Sequence, residues 1–247
     1  MRRASATPPS AAPGLSRPPG PRSAAGRAAW VLAACSVVLL VLVAVRWAPL
    51  MAFDDTVARA CHRWAVAEHG TTRVLRVLTD WVWDPLTMRL VCVAVALGLA
   101  ARPSARWTAV WLTAACTVAL LLQHALKVAV DRPRPVWPDP VDSARQAAFP
   151  SGHAMTATVV CGLLLWLLHR HGVGRALWST ALVLAAVCVL GVGVTRVWLG
   201  VHWPSDVLGG WLLGGTVVAV SAAVHRRWSA PGRGRRARPG HRRRRRR

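Results

Sequence analysis

Three short polar clusters interrupt an otherwise apolar chain. They are Lys127-x6-Arg134-Pro135, then Pro150-Ser151-Gly152-His153, then Thr195-Arg196-x5-His202-x3-Asp206. Lys127 is the only lysine in the sequence; every other Lys/Arg position is arginine. Lys127, Arg134 and Arg196 are fixed cations with no matching acid cluster close in sequence. A guanidinium fork grips phosphate oxygens in pairs, and an ammonium acts as a compact point charge. Four-residue spacing brings His202 and Asp206 onto one face at the start of a helix. The carboxylate can then accept one imidazole N–H and leave the other nitrogen as a base or nucleophile. Ser151 suits a helix N-cap, Gly152 permits close backbone approach, and the free N–H groups of that first turn favour an anion. Pro133 and Pro135 stiffen the Asp-Arg-Pro-Arg-Pro turn around Arg134. Cations, two histidines and one carboxylate together suit phosphoryl chemistry.

These clusters need elements to hold them. The chain has 247 residues, 54% of them hydrophobic, arranged in several runs of the length that crosses hydrocarbon as a helix. The predicted fold is all-α: a polytopic bundle of six transmembrane helices, with spans near 28–45, 81–101, 107–126, 154–168, 176–194 and 207–224. The predicted organisation is a disordered basic segment 1–26, a membrane domain 27–225 and a disordered arginine-rich tail 226–247. Between the first two spans, residues 54–78 mix charges with apolar side chains and predict one or two amphipathic helices at the interface. The net charge of +23 comes largely from the two ends. Beside a membrane such ends mark the cytoplasmic side and hold anionic headgroups, so nucleic acid is not an expected partner. Five of the six cysteines fall in apolar runs without metal or disulfide spacing, and read as small hydrophobes.

Loop charge sets the orientation. Arg17, Arg22, Arg27, Arg102, Arg106, Arg170, Arg175 and the arginine tail fall on one side of a six-span chain, which the positive-inside rule makes cytoplasmic. The three polar clusters then fall together on the other side, beside nearly all the acids. Snorkelling at the membrane surface accounts for Arg46 and Arg89. His124, one turn before Lys127, either faces the site or makes a hydrogen bond within the bundle. Gly209, Gly210, Gly214 and Gly215 predict a close packing face on the last helix.

At KVAVDRPRP, PSGH and TRVWLGVHWPSD the sequence resembles the type 2 phosphatidic acid phosphatase superfamily, the lipid phosphate phosphatases. The family pattern is Lys-x6-Arg-Pro, Pro-Ser-Gly-His and Ser-Arg-x5-His-x3-Asp, and the likeness runs from about residue 80 to 225. Thr195 stands where the pattern has serine. The resemblance implies that His202 is the nucleophile that forms a phosphohistidine, that Asp206 orients it, and that His153 serves the leaving group and then water. It implies that Lys127, Arg134, Ser151, Gly152, Thr195 and Arg196 hold the phosphate oxygens, with neither metal nor cofactor. The expected substrate is a lipid phosphate or diphosphate: phosphatidic acid, phosphatidylglycerophosphate or a polyprenyl diphosphate, met at the outer leaflet of the plasma membrane. Two alternatives stay open at this point, a lipid-linked phosphotransferase on the same fold and a catalytically inactive lipid-binding protein. The related haloperoxidases are soluble, and six apolar spans argue against that role.

Overall fold

The computed structural model describes residues 21–228; most of the predicted basic termini lie outside these residues. Among the described residues the chain is wholly helical, without strands. In chain order the helices are α1 Pro21–Ala44, α2 Ala48–Ala67, α3 His69–Val77, α4 Pro85–Ala100, α5 Arg106–Val130, α6 Gly152–Arg170, α7 Arg175–Trp198 and α8 Pro204–Trp228. A wider π-type turn at Leu78–Val82 joins α3 to α4. Six helical stretches are long and apolar enough to cross a membrane: Gly26–Ala44, His69–Ala100, Pro103–Val130, Gly152–Arg170, Arg175–Trp198 and Pro204–Arg226. The chain is a multi-pass membrane protein. The first helix begins at Pro21, ahead of the predicted span start.

Local chemistry explains the boundaries. Asp84 caps α4, its carboxylate accepting from Leu86 N at 2.7 Å and Thr87 N at 3.1 Å, with Pro85 pre-set for the first turn. Asp131 closes α5 in a left-handed conformation (φ 41°), where its N–H donates to Lys127 O. Pro133 and Pro135 follow at once and prevent the helix from resuming.

The central helix is α6. Half of its span is buried, against 11% for α7. It packs against α4, α5, α7 and α8, and α1 lies along the outside of α8. Met155, Val159, Val160, Leu163 and Leu167 of α6 meet Met88, Cys92 and Ala96 of α4 and Leu112, Ala115 and Ala119 of α5. Of the predicted glycine face on α8, Gly210 and Gly214 meet α6, while Gly209 faces Phe149 and Gly215 faces Leu32 of α1. A Cβ at Gly210 would lie 2.8 Å from Ser151 O and 3.0 Å from Met155 N, and one at Gly214 would lie 2.9 Å from Thr158 Cβ. Backbone cannot retreat cheaply, so this approach needs residues without a side chain.

The predicted amphipathic stretch forms two helices, α2 and α3. The buried stripe of α2 is Asp54, Ala58, His62 and Ala65, at one-turn intervals on one face. Phe53 and Trp64 lie exposed. The stripe packs toward α7 and α8; Asp54 meets Arg132, and His62 Nε2 lies 3.0 Å from Asp139 Oδ1 on the long connection.

Candidate active site

Four helix ends and one long connection build the site. Lys127 closes α5, His153 opens α6, Arg196 closes α7, and His202 precedes α8. The 131–151 connection brings in Arg134 and folds over the end of the bundle. All five of these side chains line one cavity of ≈ 320 Å³, together with Gly152, Arg89, Gln123, His124, Arg145 and Gln146. That volume suits a small polar group rather than a whole lipid.

His202 is oriented at both ring nitrogens. Nδ1 lies 3.4 Å from Asp206 Oδ2, and Nε2 lies 3.2 Å from Arg134 Nη1. An ionised carboxylate only accepts, so the hydrogen belongs on Nδ1 and the Nε2 lone pair faces the guanidinium. Burial above all, then the positive charges of Arg134 and Arg196, hold the His202 pKa well below its ordinary value. The imidazole is neutral at pH 7. Burial, with Arg196 nearby, pulls Arg134 down to about 10, which leaves it a cation at pH 7.

Arg134 is held by backbone. Its Nε donates to Gln146 O at 2.5 Å and its Nη1 to Val201 O at 2.5 Å. Lys127 Nζ donates to Ala147 O. Arg196 Nη1 reaches Thr79 Oγ1 at 3.4 Å and Asp142 Oδ2 at 3.5 Å, while its buried Nε has no hydrogen-bond partner. Buried Ser151 Oγ is likewise unpartnered, and Ser151 N donates to Asp206 O at 3.0 Å. A Cβ at residue 152 would lie 2.7 Å from Gln123 Nε2, so Gly152 lets the α6 N-terminus approach α5. Thr195 is buried behind this group; its hydroxyl donates to Gly191 O at 2.7 Å, one turn back, and does not line the cavity.

Two residues absent from the sequence-derived set complete the arrangement. Arg132 Nη1 donates to Asp206 Oδ1 at 2.6 Å and to Ser205 Oγ at 2.7 Å, while its Nη2 donates to Asp54 Oδ2 at 2.7 Å. Asp54 also accepts from Ser205 N at 2.9 Å and from Ser205 Oγ, so a carboxylate of α2 caps α8. Trp203 N donates to Asp206 Oδ2 at 2.9 Å. These three charges are buried and mutually satisfied. Removing one partner of such a group leaves the others uncompensated and costs about 3–5 kcal/mol. The signal for Asp54 was a polar residue on the small-residue stripe of an amphipathic helix. For Arg132 it was a second arginine in the proline turn.

Arg89 departs from the sequence reading. Arg89 does not snorkel: it turns inward, donates from Nη2 to Thr156 Oγ1 at 3.2 Å and lines the cavity, as His124 does. Among the described residues no cluster of three or more His, Cys, Asp or Glu side chains is arranged to hold a metal.

The profile of the PAP2 superfamily matches residues 108–230, which contain every member of the three clusters. A decaprenylphosphoryl-5-phosphoribose phosphatase of Mycobacterium tuberculosis (strain CDC 1551 / Oshkosh) is 38% identical over 131 residues, 52% of this chain and 67% of that protein. The chain belongs to the PAP2 superfamily. Phosphatidylglycerophosphatase B of Bacillus subtilis (strain 168) is 37% identical over 95 residues, 38% of this chain. The match spans less than half of that relative, 46% of its length. Among solved structures, a transmembrane PAP2-type phosphatidylglycerolphosphate phosphatase from Bacillus subtilis superposes with a TM-score of 0.70 at 23% identity. It covers 81% of this chain and 96% of that one, which establishes the shared fold. The relatives' names are those of lipid phosphatases.

Proposed function

We propose that this PAP2 protein hydrolyses a lipid phosphate or diphosphate at the outer leaflet through a phosphohistidine on His202. The observation that carries the reading is one cavity in which His153, His202, Lys127, Arg134 and Arg196 come together, with Asp206 behind the nearer imidazole. Lys127, Arg134 and Arg196 hold the phosphoryl oxygens, aided by Ser151 and the Gly152 amide at the α6 N-terminus. Thr195 belongs to this set by the family pattern, and reaching phosphate would require its hydroxyl to leave Gly191 O.

The steps follow from the ring orientation. The Nε2 lone pair of His202 attacks phosphorus, the N–P bond forms, and the bond from phosphorus to the leaving oxygen breaks. That oxygen keeps the electron pair and takes a proton from His153, which the negative charge of the bound phosphoryl group keeps protonated in the complex. Asp206 stabilises the positive charge that develops on the imidazole. Water then gives a proton to His153 while its oxygen attacks phosphorus, and the N–P pair returns to Nε2. The fixed cations offset the charge of both transition states, so the chemistry proceeds without a metal.

Helix direction supports the outer-leaflet placement. Arg106 begins α5 and Lys127 lies near its other end, so the arginine-rich links and the cavity lie at opposite ends of the bundle. The test is phosphate release from phosphatidic acid, phosphatidylglycerophosphate and a polyprenyl diphosphate by purified protein in detergent with EDTA. The reading requires turnover of one of them, an acid-labile phosphoenzyme, and loss of both in His202→Ala. EDTA-sensitive turnover, or turnover that survives in His202→Ala, refutes the mechanism.

A further inference from the structure

The cavity has two tiers of positive charge, and the mechanism above uses one. The outer tier is Lys127, Arg134, His153, Arg196 and His202. Gln123 precedes Lys127 by one turn on α5, and Thr156 follows His153 by one turn on α6. Arg89 of α4 donates to Thr156 and shares the cavity wall with Gln123 and His124. These residues therefore form an inner tier, about one helical turn (~5 Å) deeper into the bundle. Arg89 lies within a span and is half-buried, and among the described residues it forms no salt bridge. A guanidinium turned inward at membrane depth is costly and marks a functional position by default.

A second observation gives the inner tier a direction. Arg89 and Gln123 also border a packing gap of only ≈ 10 Å³, about one water, between α4, α5 and α6, whose other walls include Cys116, Ala119, Leu120, Met155 and Val159. The sequence of environments is thus three cations with two histidines, then one arginine with amides and hydroxyls, then hydrocarbon. A lipid monophosphate has one anionic group before its chain; a lipid diphosphate has two in a row.

We propose that Arg89, with Gln123 and His124, is a second anion subsite that holds the lipid-proximal phosphate of a diphosphate. This rests on the reading of His202 as nucleophile and deepens it by naming the substrate class. The terminal phosphorus sits against His202, and the chain leaves past Arg89 toward the hydrocarbon depth of the bundle. When the N–P bond forms, the bridging P–O bond breaks and its electron pair stays on the departing lipid monophosphate. Arg89 meets that new charge with a two-pronged fork, so it contributes to the transition state as well as to binding. A phosphate leaving group of this kind does not need the proton of His153.

The experiment compares one prenyl chain carried as monophosphate and as diphosphate. In wild type the diphosphate has the higher kcat/KM. In Arg89→Gln the diphosphate-to-monophosphate ratio of kcat/KM falls by about 10²-fold, the usual effect of deleting one charge-stabilising donor, and Arg89→Lys recovers part of it. An unchanged ratio overturns the subsite. Binding gives an arm independent of turnover. His202→Ala is titrated with a prenyl methylenediphosphonate and a prenyl phosphonate, with and without Arg89→Gln. Tighter diphosphonate binding that disappears with Arg89 supports the subsite even if wild type turns over neither ester, a result that would sink the catalytic reading alone. Equal binding of the two phosphonates overturns the subsite whatever the turnover.

Discussion

Helix α6 has two seams, and they are built oppositely. Toward α8 the contact is closed by Gly210 and Gly214, with Gly162 of α6 facing Val218. Toward α4 and α5 the contact is packed by side chains, with Arg89, Gln123 and Thr156 beside Met155 and a gap of only ≈ 10 Å³ between them. The closed seam carries the part that has to be fixed: Ser151 N bonds to Asp206 O, and Asp206 orients His202. The polar end of the other seam borders the cavity that would admit a ligand. One helix thus holds the proposed nucleophile in place on one side and borders the proposed recognition site on the other. The physical difference is side-chain size at the contact, since small residues let backbones touch and long polar ones hold them apart.

The contrast can be broken at either seam. The largest effect is expected at the fixed chemistry: His202→Ala should lower turnover by at least ~10⁴-fold while the protein stays folded, as for the loss of a covalent nucleophile. Phosphate release alongside a thermal melt checks both halves. Arg132→Gln should follow. It leaves Asp54 and Asp206 as buried carboxylates without their cation, so the melting temperature and kcat should fall together, with a stability loss of about 3–5 kcal/mol. Unchanged activity would show that the carboxylate chain from α2 does not position His202. Gly210→Ala wedges a methyl against Ser151 O and Met155 N, and should cost about 1–3 kcal/mol of overpacking. Denaturant unfolding in detergent measures that cost.

A pH profile sharpens the account of the fixed side. The Arg134 charge is one cause of the lowered His202 pKa, behind burial. A neutral imidazole is the attacking form, and the acid limb of kcat/KM reports the free enzyme. In wild type the His202 contribution to that limb lies below the ordinary histidine value of ~6.5. Arg134→Gln removes a positive neighbour, raises the imidazole pKa and should move the limb toward neutral pH. A limb that stays put, or moves to lower pH, contradicts the assignment. The smallest effect is expected at the second seam: Leu120→Trp overfills a gap of only ≈ 10 Å³ and should cost about 1 kcal/mol of stability, read by denaturant unfolding in detergent.

Much of this site was legible before any coordinates. Lys127, Arg134, Gly152, His153, Arg196 and His202 all line the cavity, with Asp206 directly behind His202. Each belongs to a motif with fixed local spacing, and counting spans places all three motifs at one end of the bundle. Asp54 was not legible, because α2 contributes only one carboxylate to the site and its partner Arg132 is 78 residues away in sequence. Arg132 and Arg134 share a turn and a charge. The first is buried between Asp54 and Asp206; the second is held by carbonyls beside His202. No spacing rule separates them. Arg89 looked like an interfacial arginine because hydropathy reports depth along a helix and not the direction a side chain takes around it.

By itself the sequence determined six membrane-length helices, an amphipathic stretch between the first pair, and the residue types that gather at one end. Those properties are local: the apolar length of a run, the prolines and glycines between runs, and the distribution of arginine among the links. Tertiary structure alone decided which nitrogen of His202 faces the cavity, which arginine is structural, that Thr195 turns to its own helix, and that Arg89 turns inward. Each of those outcomes depends on which neighbour a polar group meets once water is excluded. A buried charge or hydrogen-bonding group takes the partner that packing brings within about 3 Å, however distant it is along the chain.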